Sequence, residues 1–233
     1  MHITIIGLGG VGSVLAMRLG YHYDTHLIDF DRFENANAFR QPLSILYPDE
    51  NKARAHASYL KDLNCHKIKE PTTTVSEDKI DKDSKLPITD IIICCVDNNA
   101  ARNAIRSIAL ATKTPLIIAA NESLDGEASM LMPEWAGTEL DPWVTWPQLW
   151  DESEPEERPL HCTDPRIVLD APQTPIANFM AAALALWLAE SFLMRKQIVE
   201  VFDPIRCAFT ANKLTSKRPF DLIGEKQWQK LYE

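Results

Sequence analysis

Five of the chain's eight glycines fall within its first twenty residues, and four of these, Gly7, Gly9, Gly10 and Gly12, belong to the run Gly7-Leu8-Gly9-Gly10-Val11-Gly12-Ser13. Glycines where a strand turns into a helix let backbone N–H groups approach a phosphate at the positive end of the helix dipole. Gly7, Gly9 and Gly12 also meet the G-x-G-x-x-G spacing of a dinucleotide turn, with Asp29, seventeen residues after Gly12, as a ribose-binding acid. Beyond Asp29 come Asp31, Asn37, Arg40, Gln41 and Lys52. Cations and amides just past the ribose position suit a triphosphate, and a dinucleotide pyrophosphate does not need them. Taken singly, Arg40 and Lys52 also read as solvated surface charge. Asp97 closes an apolar run, and a carboxylate at the carboxyl end of a central strand of an open α/β sheet faces the ligand and can hold Mg²⁺.

The elements that must position these residues follow from periodicity. Residues 2–6 (HITII) read as a strand, residues 14–19 have helical spacing after the glycine turn, and residues 25–28 read as a second strand ending on Asp29. Residues 52–63 place small and apolar side chains on one helical face, and the charged stretch 67–85 has room for one edge strand and a loop. Residues 90–96 (DIIICCV) form an unbroken apolar run, as expected of a parallel strand covered on both faces. A helix over 100–112 and a buried strand over 115–119 continue the alternation. The fold expected is α/β, a Rossmann-like, mostly parallel sheet with helices on both faces. Its nucleotide-binding core is 1–133, followed by an irregular acidic crossover at 134–175, and by a long packing helix and C-terminal extension of the same domain at 176–233.

Composition sets the remaining bounds. The 233 residues are 45% hydrophobic and 24% charged, which fits one globular domain with a modest extension. Lys plus Arg is 24 against 33 Asp plus Glu, a formal charge of −9 with no basic block, so nucleic acid is not the expected partner. Eight of the acids lie in 134–158 beside four of the six tryptophans, at 135, 143, 146 and 150. That mixture suits a docking surface for a basic partner, or tryptophans that anchor a long loop onto the sheet. Cysteines at 65, 94, 95, 162 and 207 are odd in number and form no CxxC pair, which points to a reducing, cytoplasmic setting without a four-cysteine zinc site. The Ala-rich stretch 176–193 approaches membrane-spanning length, but Asn178 and Glu190 interrupt it, so it reads as a buried helix and no membrane is expected.

Taken in order, these pieces resemble the ThiF/MoeB/HesA superfamily of ubiquitin-activating-enzyme-like adenylyltransferases. GLGGVGS at 7–13 is similar to that family's glycine motif, DFD at 29–31 and NAFRQ at 37–41 to its D-x-D and N-x-x-R-Q, and Lys52, Leu63-Asn64 and Cys95-Val96-Asp97-Asn98 to its later motifs. The resemblance implies that Asp29 binds ribose hydroxyls, that Asn37, Arg40, Gln41 and Lys52 contact the phosphates of ATP, and that Asp97 coordinates Mg²⁺. It implies acyl adenylation of the C-terminus of a small ubiquitin-like protein or peptide. It also implies a homodimer, for which the small residues at 177, 181, 182, 183, 185 and 189 would allow close helix approach. Many members supply an arginine from an N-terminal helix, whereas this chain opens on its first strand, and Val96 replaces the family's threonine. Cys162, in Pro159-Leu-His-Cys-Thr, resembles the thioester cysteine of ubiquitin-activating enzymes, with His161 able to stabilise a thiolate. A structural cysteine is the other reading of Cys162. An NAD-dependent oxidoreductase would share the glycines and Asp29 but leaves Arg40, Gln41, Lys52 and Asp97 unexplained. A non-catalytic half of a heterodimeric activating enzyme is the third possibility.

Overall fold

In the computed structural model, the opening apolar run forms β1 (His2–Ile6), which lies between β2 (Asp24–Ile28) and β4 (Ile91–Cys94) and is parallel to both. The structure describes residues 1–38, 40–67, 71–122, 125–150, 175–195, 206–210 and 213–217. Ile6 stands level with Ile28 on one side and Cys94 on the other, so the three strands end together. β3 (Thr73–Ser76) adds to the outer edge of β2, and β5 (Leu116–Glu122) to β4, both in parallel. All four residues of β4 are buried, as a strand covered on both faces requires. The apolar run 90–96 is thus a strand only over its middle four residues, because the chain beyond Cys94 passes against the glycine turn described below.

The sheet then changes direction. β6 (Asp125–Leu131), β7 (Arg206–Thr210) and β8 (Lys213–Lys217) are each antiparallel to their predecessor, giving the order β3-β2-β1-β4-β5-β6-β7-β8 among the described strands. Neither β6 nor β8 was expected from periodicity. The Asp-Gly-Glu-Ala-Ser sequence of β6 lacks the β-branched residues that announce a strand, and small side chains are needed there. A Cβ added at Gly126 would stand 3.1 Å from the Cβ of Ala181 on the helix that covers it.

That helix is α6 (Pro175–Arg195), which packs on β5, β6 and α1 (Gly10–Gly20). Because α1 touches α6 directly, α4 (Asn99–Thr112), which covers β4 and β5 between them, lies on the opposite face. α3 (Lys52–Asn64) sits beside α1 over β2 and β3, and α2 (Leu43–Leu46) is a single turn. α6 is long and apolar enough to cross a membrane by length and composition, yet half of its apolar window is buried here as a core helix. Its Ala177, Ala181, Ala182, Ala185 and Ala189 are all buried. Five of the six small residues read as a surface for a second copy thus seat α6 within the chain, on the sheet and on α1, while Ala183 is exposed.

Three of the four tryptophans of this stretch, Trp135, Trp143 and Trp150, are anchored on the fold, as the loop-anchoring alternative expects of them. Trp135 and Trp150 are buried, and Trp143 stacks on Trp150 with centroids 4.3 Å apart. α4 holds them: Asn103 Oδ1 accepts from Trp143 Nε1 at 2.6 Å, and Asn103 Nδ2 donates to the Trp150 carbonyl at 3.3 Å. Arg106 lies over the Trp143 ring and pairs with Asp141 at 2.5 Å. Asp141 is fully buried, caps α5 (Pro142–Thr145) through the Trp143 N–H and accepts from Gly137 N–H as well. Removing this carboxylate strands an arginine and two N–H groups, so Asp141→Ala should cost about 3 kcal/mol. The check is the urea unfolding midpoint, with Glu139→Ala, an exposed acid of the same stretch, expected to change it little.

Candidate active site

After β1 the chain continues to β2 on one side, and only later returns to place β4 on the other. This reversal opens a crevice at the carboxyl ends of β1 and β4, the place where open α/β sheets take their ligands. The glycine turn leaves β1 there, and Asp97 lies three residues past the end of β4.

Sterics explain three of the turn's glycines. Gly7 has a positive φ of 86°, and a Cβ on it would come within 2.8 Å of the Cys95 carbonyl. A Cβ on Gly12 would fall 1.8 Å from the Gly7 carbonyl oxygen, so α1 can approach the end of β1 only with glycine at that point. Gly10 packs against Asn178 of α6. Gly9 is different: nothing lies within 4 Å of where its Cβ would be, so the fold gives no packing reason for it. Gly9 is the N-cap of α1, and no side chain caps that helix. The N–H groups that any α-helix leaves unpaired in its first turn are thus available to an anion.

Asp29 ties β2 to this turn. Its Oδ2 accepts from the Leu8 N–H at 2.5 Å and its Oδ1 from the Asp31 N–H at 2.8 Å. Burial raises its pKa above the ordinary carboxylate value, a shift opposed by the Lys52 charge and by these two N–H groups. A carboxylate offers about four lone-pair sites, so two remain for hydroxyl donors such as those of a ribose. Lys52 Nζ donates to Asp31 Oδ2 at 3.0 Å, and the Lys52 N–H donates to the Asp31 carbonyl at 2.9 Å. Asn51 binds the pair of segments together: Nδ2 donates to the carbonyls of Asp29 at 2.8 Å and Asp31 at 3.1 Å, while Oδ1 caps α3 through the Arg54 N–H. Sequence reasoning missed Asn51, although an asparagine directly before a helix start is an N-cap signal.

Arg40 and Lys52 are 9% and 8% exposed, which overturns their reading as solvated surface charge. Gln41 is buried too, and its Oε1 has no hydrogen-bond partner among the described residues. The backbone N–H groups of Arg40 and Gln41 both donate to the Asn37 carbonyl, and Asn37 Oδ1 accepts from the Glu34 N–H at 3.0 Å. Asn37 thus shapes the turn that carries Arg40 and Gln41, and its amide NH₂ remains for a ligand. Asp97 is exposed, and the next residue, Asn98, caps α4. Among the described residues no three His, Cys, Asp or Glu side chains gather into a metal cluster. Burial pushes the Cys94 thiol up to about 11 and raises that of Cys95, which keeps both protonated and unreactive. Cys162 and His161 lie outside the described residues.

A glycine turn at a helix start, a buried acid just past the second strand and two buried cations beyond it are set on a mostly parallel α/β sheet. The chain belongs to the ThiF family, whose sequence model matches residues 1–212. It is 32% identical over 139 residues to the adenylyltransferase and sulfurtransferase uba4 of Aspergillus fumigatus, covering 55% of this chain and 27% of that protein. It is 29% identical over 142 residues to the sulfur carrier protein ThiS adenylyltransferase of Escherichia coli, covering 57% and 54%. The chain thus spans about half or less of the length of these curated relatives. Among solved structures, E. coli MccB with MccA-N7isoASN superposes with a TM-score of 0.70 at 21% identity, over 93% of this chain and 63% of that one. At that identity the likeness concerns the fold alone.

One turn beyond Lys52, His56 is fully buried, with Nδ1 2.7 Å from the Lys52 carbonyl. Burial, with the Lys52 charge adding to it, lowers its pKa from 6.5 to about 4. The unfolded chain therefore takes up this proton at a higher pH than the fold does, and stability is lost as pH falls from 6.5 towards 4. The full loss is about 3 kcal/mol. His56→Met should flatten the difference in melting temperature between pH 7 and pH 4.5 relative to the wild type, and an identical slope in both proteins would exclude His56 as its source.

Proposed function

We propose that the chain is an ATP-dependent adenylyltransferase that activates a carboxylate, the C-terminus of a small ubiquitin-like or sulfur-carrier protein or of a peptide. The observation that carries this reading is the burial of Arg40 and Lys52, the latter held by Asp31 in the loop that follows β2. Asp31 holds Lys52 in place, and two cations beyond the ribose-binding acid suit the charge of a triphosphate. Curated relatives named as adenylyltransferases, and MccB solved with ATP and with MccA, support the same reading.

In the proposed reaction an oxygen of the substrate carboxylate attacks the α-phosphorus of ATP. The bond from that phosphorus to the bridging oxygen breaks, and pyrophosphate leaves with the electron pair. Asp29 would hold the ribose hydroxyls, and the first-turn N–H groups of α1 a phosphate oxygen. Asp31 keeps the Lys52 ammonium in place, and Lys52 and Arg40 offset the charge that builds on the phosphate oxygens. Asp97 suits Mg²⁺, which keeps several waters and takes its other ligands from phosphates, so that one exposed protein carboxylate suffices. Bound there, the ion would supply further neutralisation of phosphate charge.

Mg-ATP should raise the melting temperature and NAD should not. Stabilisation by NAD with none from ATP would return the protein to the oxidoreductase class. Lys52→Ala and Arg40→Ala should each lower ATP–pyrophosphate exchange on the order of 10²- to 10³-fold. Asp97→Ala should abolish metal-dependent exchange, and unchanged exchange in that variant would remove Asp97 from the site.

Transfer to Cys162 is proposed as a separate, later step, in which the thiolate attacks the acyl carbonyl and AMP leaves. Cys162→Ala should then retain pyrophosphate exchange and lose a thiol-sensitive adduct with the substrate, and an adduct that survives in the variant excludes this role. A cytoplasmic homodimer completes the reading. A monomeric mass by light scattering at micromolar concentration, with activity intact, would refute the dimer.

A further inference from the structure

Asn178, in the first turn of α6, is 1% exposed and lies directly against Gly10 at the start of α1. A Cβ on Gly10 would stand 2.2 Å from Asn178 Nδ2 and 2.4 Å from its Oδ1, so the glycine is there to admit this side chain. Neither Nδ2 nor Oδ1 has a hydrogen-bond partner among the described residues. Its neighbours along the buried face of α6, Ala177, Ala181 and Ala182, are apolar, and packing would be served as well by an apolar side chain. A buried amide with neither its donor nor its acceptor satisfied is a standing cost to the fold, and such groups call for a ligand or a function.

The two unpaired atoms say which ligand. A phosphate has only acceptors at neutral pH, so it would satisfy Nδ2 and leave Oδ1 orphaned. The N–H and C=O of one residue in an extended chain point to the same side and satisfy both. We infer that Asn178 hydrogen-bonds the N–H and C=O of the last residue of the acyl substrate, holding the chain end beside the α1 phosphate turn, where its carboxylate meets the nucleotide. This rests on the adenylylation reading and adds to it that the substrate is recognised through its backbone, as a peptide rather than as a free small acid. Asn178 is a specificity residue in that role, and Gly10 is the glycine that makes room for it.

Two stable mimics separate the possibilities. 5′-O-Sulfamoyladenosine represents the nucleotide alone, and the same compound N-acylated with acetyl-glycyl-glycine represents the acyl adenylate with a side-chain-free chain end of two glycines. Calorimetric titration of the full chain should show the acylated mimic binding about tenfold or more tightly than the parent. Asn178→Ala should remove that advantage and leave affinity for sulfamoyladenosine unchanged. The ligand-free variant should melt at or above the wild-type temperature, because an unsatisfied amide has gone, whereas a purely structural Asn178 would lower it. An ester analogue, in which oxygen replaces the N–H between the two acyl residues, should lose several-fold on the wild-type protein, a measurement that does not depend on the variant folding. Equal binding of amide and ester overturns the assignment. So does an acyl tail that adds no affinity, or a variant that loses both mimics equally. If the wild type binds neither mimic, the adenylylation reading fails and this inference with it.

Discussion

The approach of α1 to the end of β1 is the constraint on which the site depends. With a Cβ on Gly12 1.8 Å from the Gly7 carbonyl oxygen, helix and strand can meet at this distance only without a side chain. Because they do meet, the Leu8 N–H reaches across to Asp29, and the end of β2 is fixed relative to the end of β1. Asp29 in turn fixes Asp31, Asp31 holds Lys52, and Asn51 stitches both segments to the start of α3. A steric contact between two glycines is thereby transmitted to an ammonium group on another helix.

The charged groups around this chain of contacts are arranged so that few stand alone. Asp29 is buried and raised in pKa by desolvation, but two N–H groups and the nearby Lys52 restrain the shift. Lys52 is buried against the more exposed Asp31, so one end of that pair stays hydrated. The groups left open are of another kind: the first turn of α1, Gln41 Oε1 and the amide of Asn178. These are neutral donors and acceptors, which set the direction of a ligand, while the buried cations set its charge.

The sequence displayed the half of the fold built from local rules. β1, the glycine turn, α1 and β2 follow from glycine spacing and short apolar runs, and β4 from Ile91 to Cys94, whose burial on both faces demands unbroken hydrophobicity. β6 was hidden because what makes it fit is smallness: Gly126 and Ala128 suit the alanines of α6, a complementarity between residues some fifty positions apart that no window can see. The same alanines, read without their partner strand, looked like a surface for another helix. As candidates, Asp29 and Asp97 were legible because each follows a strand end, and Lys52 because it opens a helix. Asn51 and Asn178 were not, since each acts through backbone or ligand groups that the linear pattern does not mark. The tryptophans were ambiguous in sequence, and Asn103, Arg106 and Asp141 decided for anchoring, because three polar side chains on α4 and the loop match the indole N–H and ring face of Trp143.

The strand order also carries a consequence for how the chain comes into being. β1 leaves the ribosome first, yet its neighbour β4 is not complete until residue 94, and α6, which covers α1, begins only at residue 175. At ordinary elongation rates β1 and α1 therefore wait on the order of ten seconds, with one flank of the strand unpaired, before β4 can be added. In that interval a strand edge made of Ile3, Ile5 and Ile6 is a template for any other strand in reach. The parallel core thus places its central strand at greatest risk during synthesis, and pairing with β2, which follows at once through α1, protects one edge of it.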